Sequence, residues 1–222
     1  MIYSTMCIGE EWCKKHSKRI NDLSEKEIVW VLTDLPEYFP NCSIQQYHRN
    51  TLSYYEKLPF VLNLVIKYED RVTFFDADSV DNPYFQSILK KEYVLDNHSV
   101  YALNVYDIKR FDREMLLNNP SYVELMNIYR YYNYEPFPKY IHERLFSLPY
   151  KKYQTEQILE EIIEMQSIFE ETYYKGRKWP ERHQNQRWSA AGCGYAEGGA
   201  LSIIVHNMNI PTKRIKYLKK II

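Results

Sequence analysis

The chain has 222 residues, with 29 basic and 29 acidic side chains and six histidines. That length supports one domain with a sizeable core, and a formal net charge of zero gives no electrostatic case for a nucleic-acid partner. No apolar run approaches the length of a membrane span, and Met1 to Ile8 lacks the basic and long apolar regions of a signal peptide, so a cytoplasmic protein is expected. Cys7, Cys13, Cys42 and Cys193 form no Cys-x-x-Cys pair and are expected as free thiols.

In chain order, residues 2–8 are apolar enough for a first strand, and Gly9 opens a helical stretch to about Leu23. Ile28 to Thr33 is the clearest buried strand, with Asp34 at its carboxyl end, and Pro36 to Pro40 reads as a loop. Leu52 to Tyr68 reads as a helix that Pro59 interrupts, marking the first turn of a second helix. From there Phe60, Val61, Leu64, Val65 and Tyr68 recur at helical spacing, and Asn63 and Lys67 share one face. After the turn at Asp70 and Arg71, Val72 to Phe75 is a short run of high β-propensity leading into Asp76-Ala77-Asp78.

Alternating strands and helices over the first eighty residues predict a parallel α/β sheet, and right-handed crossovers place its strand ends on one edge. Ser4, Thr5, Asp34, Asp76 and Asp78 are expected to meet at that rim, the place where open α/β sheets bind ligands.

The pattern then changes. Pro83 to Leu89 reads as a short helix or turn, Ser99 to Tyr106 as one strand, Met115 to Tyr132 as a helix and Arg144 to Leu148 as a strand. Thr155 is expected to cap a helix whose stripe is Ile158, Ile162, Met165, Ile168, Phe169 and Tyr173, with Gly176 as its stop. Four of the six glycines fall between Gly192 and Gly199, where the backbone is expected to bend or lie close to a ligand, and Ala200 to Met208 continues as a helix. The basic tail from Lys213 to Ile222 reads as a solvated terminal helix or as a weak contact with an anionic membrane surface.

Two carboxylates as close as Asp76 and Asp78 repel each other unless a cation lies between them or one is protonated. If the extended backbone continues, both point to the same side, and oxygen ligands at a strand end suit Mg²⁺ or Mn²⁺ together with phosphate oxygens. Such an ion would offset charge on a departing diphosphate. Asp34 suits a base or ribose hydroxyl, and Lys67 and Arg71 would neutralise phosphate or brace the pair, or form ordinary surface ion pairs. Glu197, among glycines at a helix start, would bind or deprotonate an acceptor hydroxyl, or only complement the helix dipole. His183 and His206 are the late histidines to test as a third metal ligand.

The run from Leu58 through Asn63, Lys67 and Arg71 to Phe75, Asp76, Ala77, Asp78 and Ser79 resembles the nucleotide-sugar glycosyltransferases of the A-type (GT-A) fold. The resemblance covers the first eighty residues well and the remainder loosely. It implies a Rossmann-like, mostly parallel nucleotide-binding sheet over residues 1–80, flanked by helices, and a mixed or antiparallel acceptor half over 81–222, within one domain. It also implies Mn²⁺ or Mg²⁺ on Asp76 and Asp78 with the diphosphate of a nucleotide-sugar donor, a UDP-sugar being favoured. Tyr3, Ser4, Thr5 and Asp34 match the nucleoside end by position, and Glu197 matches a late acidic residue facing the acceptor or donor sugar. Two other readings stay open. A haloacid-dehalogenase-like phosphatase would use Asp76 as nucleophile and Asp78 as acid, although that motif ends the first core strand and wants a further acidic ligand, and no Asp follows Asp112. A nucleotide-sugar binding protein without turnover is the other.

Overall fold

In the computed structural model, residues 1–48, 53–103, 105–107, 139–141, 144–169 and 197–216 are described. The first half supplies four strands and two long helices: β1 (Ile2–Met6), α1 (Glu10–Ser24), β2 (Val29–Thr33), β3 (Ser43–Gln46), α2 (Ser53–Tyr68) and β4 (Val72–Phe75). The remaining elements are α3 (Pro83–Leu89), β5 (Val100–Ala102), β6 (Val105–Asp107), β7 (Lys139–Ile141), β8 (Leu145–Leu148), α4 (Lys152–Phe169), α5 (Glu197–Asn207) and β9 (Thr212–Arg214).

Seven strands form one sheet in the order β3-β2-β1-β4-β8-β5-β9. Strands β3, β2, β1 and β4 are parallel neighbours. β8 runs antiparallel to both β4 and β5, and β9 is parallel to β5. The fold class is therefore α/β, with a mostly parallel sheet in which β8 alone is reversed, and strands of both halves share that sheet. β6 and β7 pair antiparallel in a second, two-stranded sheet.

Helices cover both faces. Leu58, Phe60, Val61, Leu62 and Val65 of α2 pack with Ile158, Ile162 and Met165 of α4 and Leu201, Ile204 and Val205 of α5 against one face. Cys13 and Ile20 of α1 and Phe85 and Ile88 of α3 cover the other, against Tyr3, Val29, Val31 and Phe75. Rings stack within each layer: Phe74 on Phe146 at 5.2 Å and Phe75 on Phe85 at 4.5 Å between centroids. Apolar burial of this kind is the main favourable term for such a sheet.

Several expectations need correction. Pro59 does not start a second helix, because α2 continues through it. A proline inside a helix removes one hydrogen bond and costs about 3 kcal/mol in isolation, and the buried apolar face on either side of it offsets that cost. Thr155 does not cap α4, which begins at Lys152; its Oγ1 accepts from the Lys151 amide at 3.0 Å. The stretch Ser99–Tyr106 is two strands in two different sheets. The tail does not begin as a helix: Lys213 and Arg214 lie in β9, held beside β5, and Ile215 is buried. β3 was not anticipated, since Ser-Ile-Gln-Gln at a half-exposed sheet edge carries no apolar pattern. The helix expected over Met115–Tyr132, and Tyr173 and Gly176, lie outside the described residues, as does the tail after residue 216.

At the amino edge of the sheet, Arg71 is buried just before β4. Its guanidinium donates to Ser147 O and Oγ (3.1 Å each), to Ser99 O (2.9 Å) and to Asp96 O. Burial pushes its pKa down to about 10, against the opposing pull of Tyr101, Asp96 and Asp70. The Asp96 carboxylate in turn accepts from Tyr101 Oη (2.6 Å), Lys213 Nζ (2.7 Å) and the amides of His98 and Ser99 (2.8 Å each). Arg71 and Asp96 thus tie β4, β8, β5 and β9 together.

Arg71→Met should cost roughly 3 kcal/mol or more in urea denaturation, since it leaves buried carbonyls without their donor. Bonds from Lys213 and then Tyr101 hold the Asp96 carboxyl well below the usual carboxylate range. A pKa lowered by folding contributes stability above the ordinary aspartate value of about 4 and loses it progressively as pH falls below that value. Asp96→Asn should therefore lower the melting midpoint at neutral pH, with a gap from wild type that closes as acid is added. A gap independent of acid pH would count against this latch.

Candidate functional site at the carboxyl edge of the sheet

The chain fills the sheet from β1 outward to β2 and β3, then crosses by α2 to β4 on the other side of β1. The carboxyl ends of β1 and β4 therefore flank the point where strand order reverses, which is where open α/β sheets bind ligands. Three loops meet there: residues 7–9 after β1, Asp34 after β2, and Asp76 to Ser79 after β4.

The β1 loop is built tightly. Gly9 sits at φ 86°, a backbone angle that favours glycine, and caps α1. Its amide donates to Asp34 Oδ1 at 2.8 Å, and the Cys13 thiol donates to Cys7 O at 3.3 Å. Tyr3, Ser4 and Thr5 do not reach the rim, because β1 runs on to Met6 and all three are buried in the sheet. Tyr3 packs edge-on against Phe85 at 5.6 Å, and burial, aided by Glu27, raises its phenol pKa. Ser4 Oγ and Thr5 Oγ1 lack hydrogen-bond partners among the described residues. The lip of β1 is made by Cys7, Ile8 and Gly9 instead.

Extended backbone ends at Asp76 (φ −64°, ψ 143°), and Ala77 to Ser79 form one 3₁₀ turn. Strand alternation therefore does not align Asp76 with Asp78, contrary to expectation. The turn nevertheless brings both carboxylates to one cation. Arg144 Nε lies 3.6 Å from Asp76 Oδ2, and Arg144 Nη2 lies 3.6 Å from Asp78 Oδ2. Lys57 Nζ approaches Asp76 Oδ1 at 3.6 Å and sits 4.8 Å above the Phe74 ring. The Lys57 side chain is 6% exposed, the two carboxylates 32% and 34%, and Arg144 52%.

Lys57 and Arg144 were missed in the sequence, and Lys67 and Arg71 were named in their place. Helix direction explains the first error. A helix leading into a parallel strand runs against it, so the first turns of α2, carrying Lys57, lie over the carboxyl edge. Its last turn, carrying Lys67, lies at the amino edge. There Lys67 Nζ rests 4.2 Å over the Trp30 ring. Asn63 is exposed midway along α2. Strand register explains the second error. Phe75 opposes Leu145 in the antiparallel β4–β8 pair, and the Asp76 amide donates to Arg144 O at 2.9 Å. The reversed strand thus delivers Arg144 beside Asp76, while Arg71 stays at the far end.

The same rule of direction places Glu197. It opens α5, which leads into β9, parallel to β5. The start of α5 is therefore on the carboxyl edge and its end, with His206, on the amino edge. Gly198 and Gly199 are buried in the first turn, where Gly198 O accepts from Ser202 Oγ. Ser202 Oγ also accepts from the Ile141 amide at 2.7 Å, fixing α5 to β7. His183 lies outside the described residues.

The donor set suits a hard divalent cation in part. Two carboxylates converge on a single positive charge and remain a third exposed, and Mg²⁺ or Mn²⁺ at such a pair completes its shell with water and phosphate oxygens. Among the described residues no group of three His, Cys, Asp or Glu side chains could hold a metal. No helix among them is long and apolar enough to cross a membrane.

Comparison with protein families and with curated proteins gives no match. Among solved structures, the chain is similar to the apo structure of the bifunctional glycosyltransferase WbbM, with 16% identity and a TM-score of 0.43 over 74% of this chain and 34% of that one. The chain thus spans about a third of that protein's length. At this identity and score the likeness carries no weight for the chemistry, which rests on the rim itself.

Asp34→Ala removes the acceptor of the Gly9 amide and should cost about 1 kcal/mol in denaturant unfolding. Gly9→Ala should cost at least as much, because its backbone angle is unfavourable for a residue with a Cβ. Unchanged stability in both variants would show that this loop is not braced as described.

Proposed function

We propose that the chain is a glycosyltransferase that moves a sugar from a nucleoside diphosphate donor, a UDP-sugar in the first instance, to an acceptor. The observation that carries this reading is the convergence of Asp76 and Asp78 on one cation at the carboxyl edge, beside the Gly9 loop and the reversal of strand order. The nucleoside would lie against Ile8, Gly9 and Asp34, and the diphosphate near Asp76 and Asp78. When bound between those carboxylates, Mn²⁺ or Mg²⁺ would supply Lewis-acid stabilisation of the departing diphosphate. Lys57, held in place by burial, would keep Asp76 aimed at that position from 3.6 Å away. Glu197, at the start of α5 on the same edge, would bind the acceptor or take the proton of its hydroxyl.

Thermal stability measured with UDP, GDP and their sugars, with Mn²⁺, with Mg²⁺ and with chelator, tests the reading directly. A ligand at a hundredfold excess over its Kd adds roughly 2.7 kcal/mol, and the shift for one nucleoside diphosphate should vanish in chelator. Asp76→Asn and Asp78→Asn should each weaken donor binding roughly tenfold or more with metal present. Glu197→Gln should keep donor binding and lose transfer; normal transfer would remove its catalytic role. Hydrolysis of a simple phosphomonoester that Asp76→Asn abolishes, with no stabilisation by any nucleotide, would point to the dehalogenase-like chemistry instead.

A further inference from the structure

Four charges meet at the end of β4. Asp76 and Asp78 bring two negative charges, and Lys57 and Arg144 bring two positive ones, each within 3.6 Å of a carboxylate oxygen. A divalent cation entering alone between the two carboxylates would have to displace Arg144 from both of them against its positive charge. A nucleoside diphosphate arriving with the cation brings negative charge that offers the displaced guanidinium a new partner.

The two positive groups are held differently. Lys57 is enclosed, its ammonium 4.8 Å over the Phe74 ring and its side chain 6% exposed. The Arg144 side chain is 52% exposed, while its backbone is pinned to Asp76 by the 2.9 Å amide bond. Its guanidinium can leave the carboxylates without leaving the rim. A guanidinium also matches phosphate oxygens with two parallel donors, which an ammonium does not.

We propose that Arg144 holds the cation's place on the Asp76–Asp78 pair in the unliganded chain and passes to the donor's diphosphate when cation and donor enter together, so that the cation binds with the nucleotide and not before it. This rests on the cation site proposed above and adds to it a positioning residue and an order of binding.

The test is titration of Mn²⁺ into the intact chain, with free Mn²⁺ read by its spin-resonance signal, alone and with saturating UDP or GDP. Wild type should bind Mn²⁺ alone weakly and gain roughly tenfold or more with the nucleotide, a coupling that must be reciprocal. Arg144→Gln removes one positive charge from the pair and should bind Mn²⁺ alone roughly tenfold more tightly, with much of the nucleotide coupling lost. Arg144→Lys keeps the charge and should keep the weak binding of Mn²⁺ alone. If Arg144→Gln binds Mn²⁺ alone no better than wild type, while Asp76→Asn abolishes the nucleotide-dependent binding, the placeholder role is overturned and the cation site stands. If wild type and Arg144→Gln both fail to take up Mn²⁺ with either nucleotide, the cation site falls and this proposal with it.

Discussion

Antiparallel pairing of β8 with β4 sets both edges of the sheet at once. Register fixes Val72 against Leu148 at one end and Phe75 against Leu145 at the other. Beyond the first pair lies Arg71, whose guanidinium reaches Ser147 and the carbonyls that close β5. Beyond the second lies Asp76, bonded through its amide to the Arg144 carbonyl. A slip of one residue would turn every β8 side chain to the other face. It would take Phe146 off Phe74 and Arg144 away from the carboxylates together. Stability at the amino edge and charge at the carboxyl edge are therefore one constraint, carried by four residue pairs.

Parallel strands joined by helices make the second constraint. Each crossover helix must run back against the strand it feeds, so residues early in a helix share an edge with residues late in a strand. Lys57 and Glu197 both reach the carboxyl edge this way, and Lys67, Arg71 and His206 are excluded from it. On this sheet the edge a residue occupies follows from its place along its element, whatever its side chain.

That rule explains which parts of the fold were legible in the sequence. β2 and β4 showed as short apolar runs, α1 as a helical stretch, α4 as one with an apolar stripe, and Asp34 and Asp76 as acids at strand ends, because each signal is local. What was hidden depends on partners distant in the chain. The β3 strand exists because β2 offers it an edge, not because Ser43–Gln46 favours extension. Pro59 is tolerated because α2 is buried against α4 and α5. Thr155 looked like a cap because its helix-start chemistry is real; its hydroxyl serves the Lys151 amide from inside the first turn instead. Arg144 carried no signal at all: one arginine before a short apolar run gains meaning only from the register of β8 on β4.

The remaining question at the rim is which groups supply positive charge to Asp78, and His16 on α1 sharpens it. The ring is buried, tilted against Trp12 with centroids 4.2 Å apart, and its Nε2 has no hydrogen-bond partner among the described residues. Asp78 lies near enough to favour its protonated form, yet burial, helped by Lys15, outweighs that pull and lowers its pKa. At neutral pH the ring is therefore mostly neutral and fills space under the 3₁₀ turn without adding charge. Among the described residues, the ion pairs on the two carboxylates come from side chains above the sheet edge: Lys57, enclosed by burial, and Arg144, half exposed. A pair of acids bridged by one enclosed and one half-exposed cation can hold its geometry without a bound ion. It can also exchange half of its countercharge without rearranging the strands that carry it.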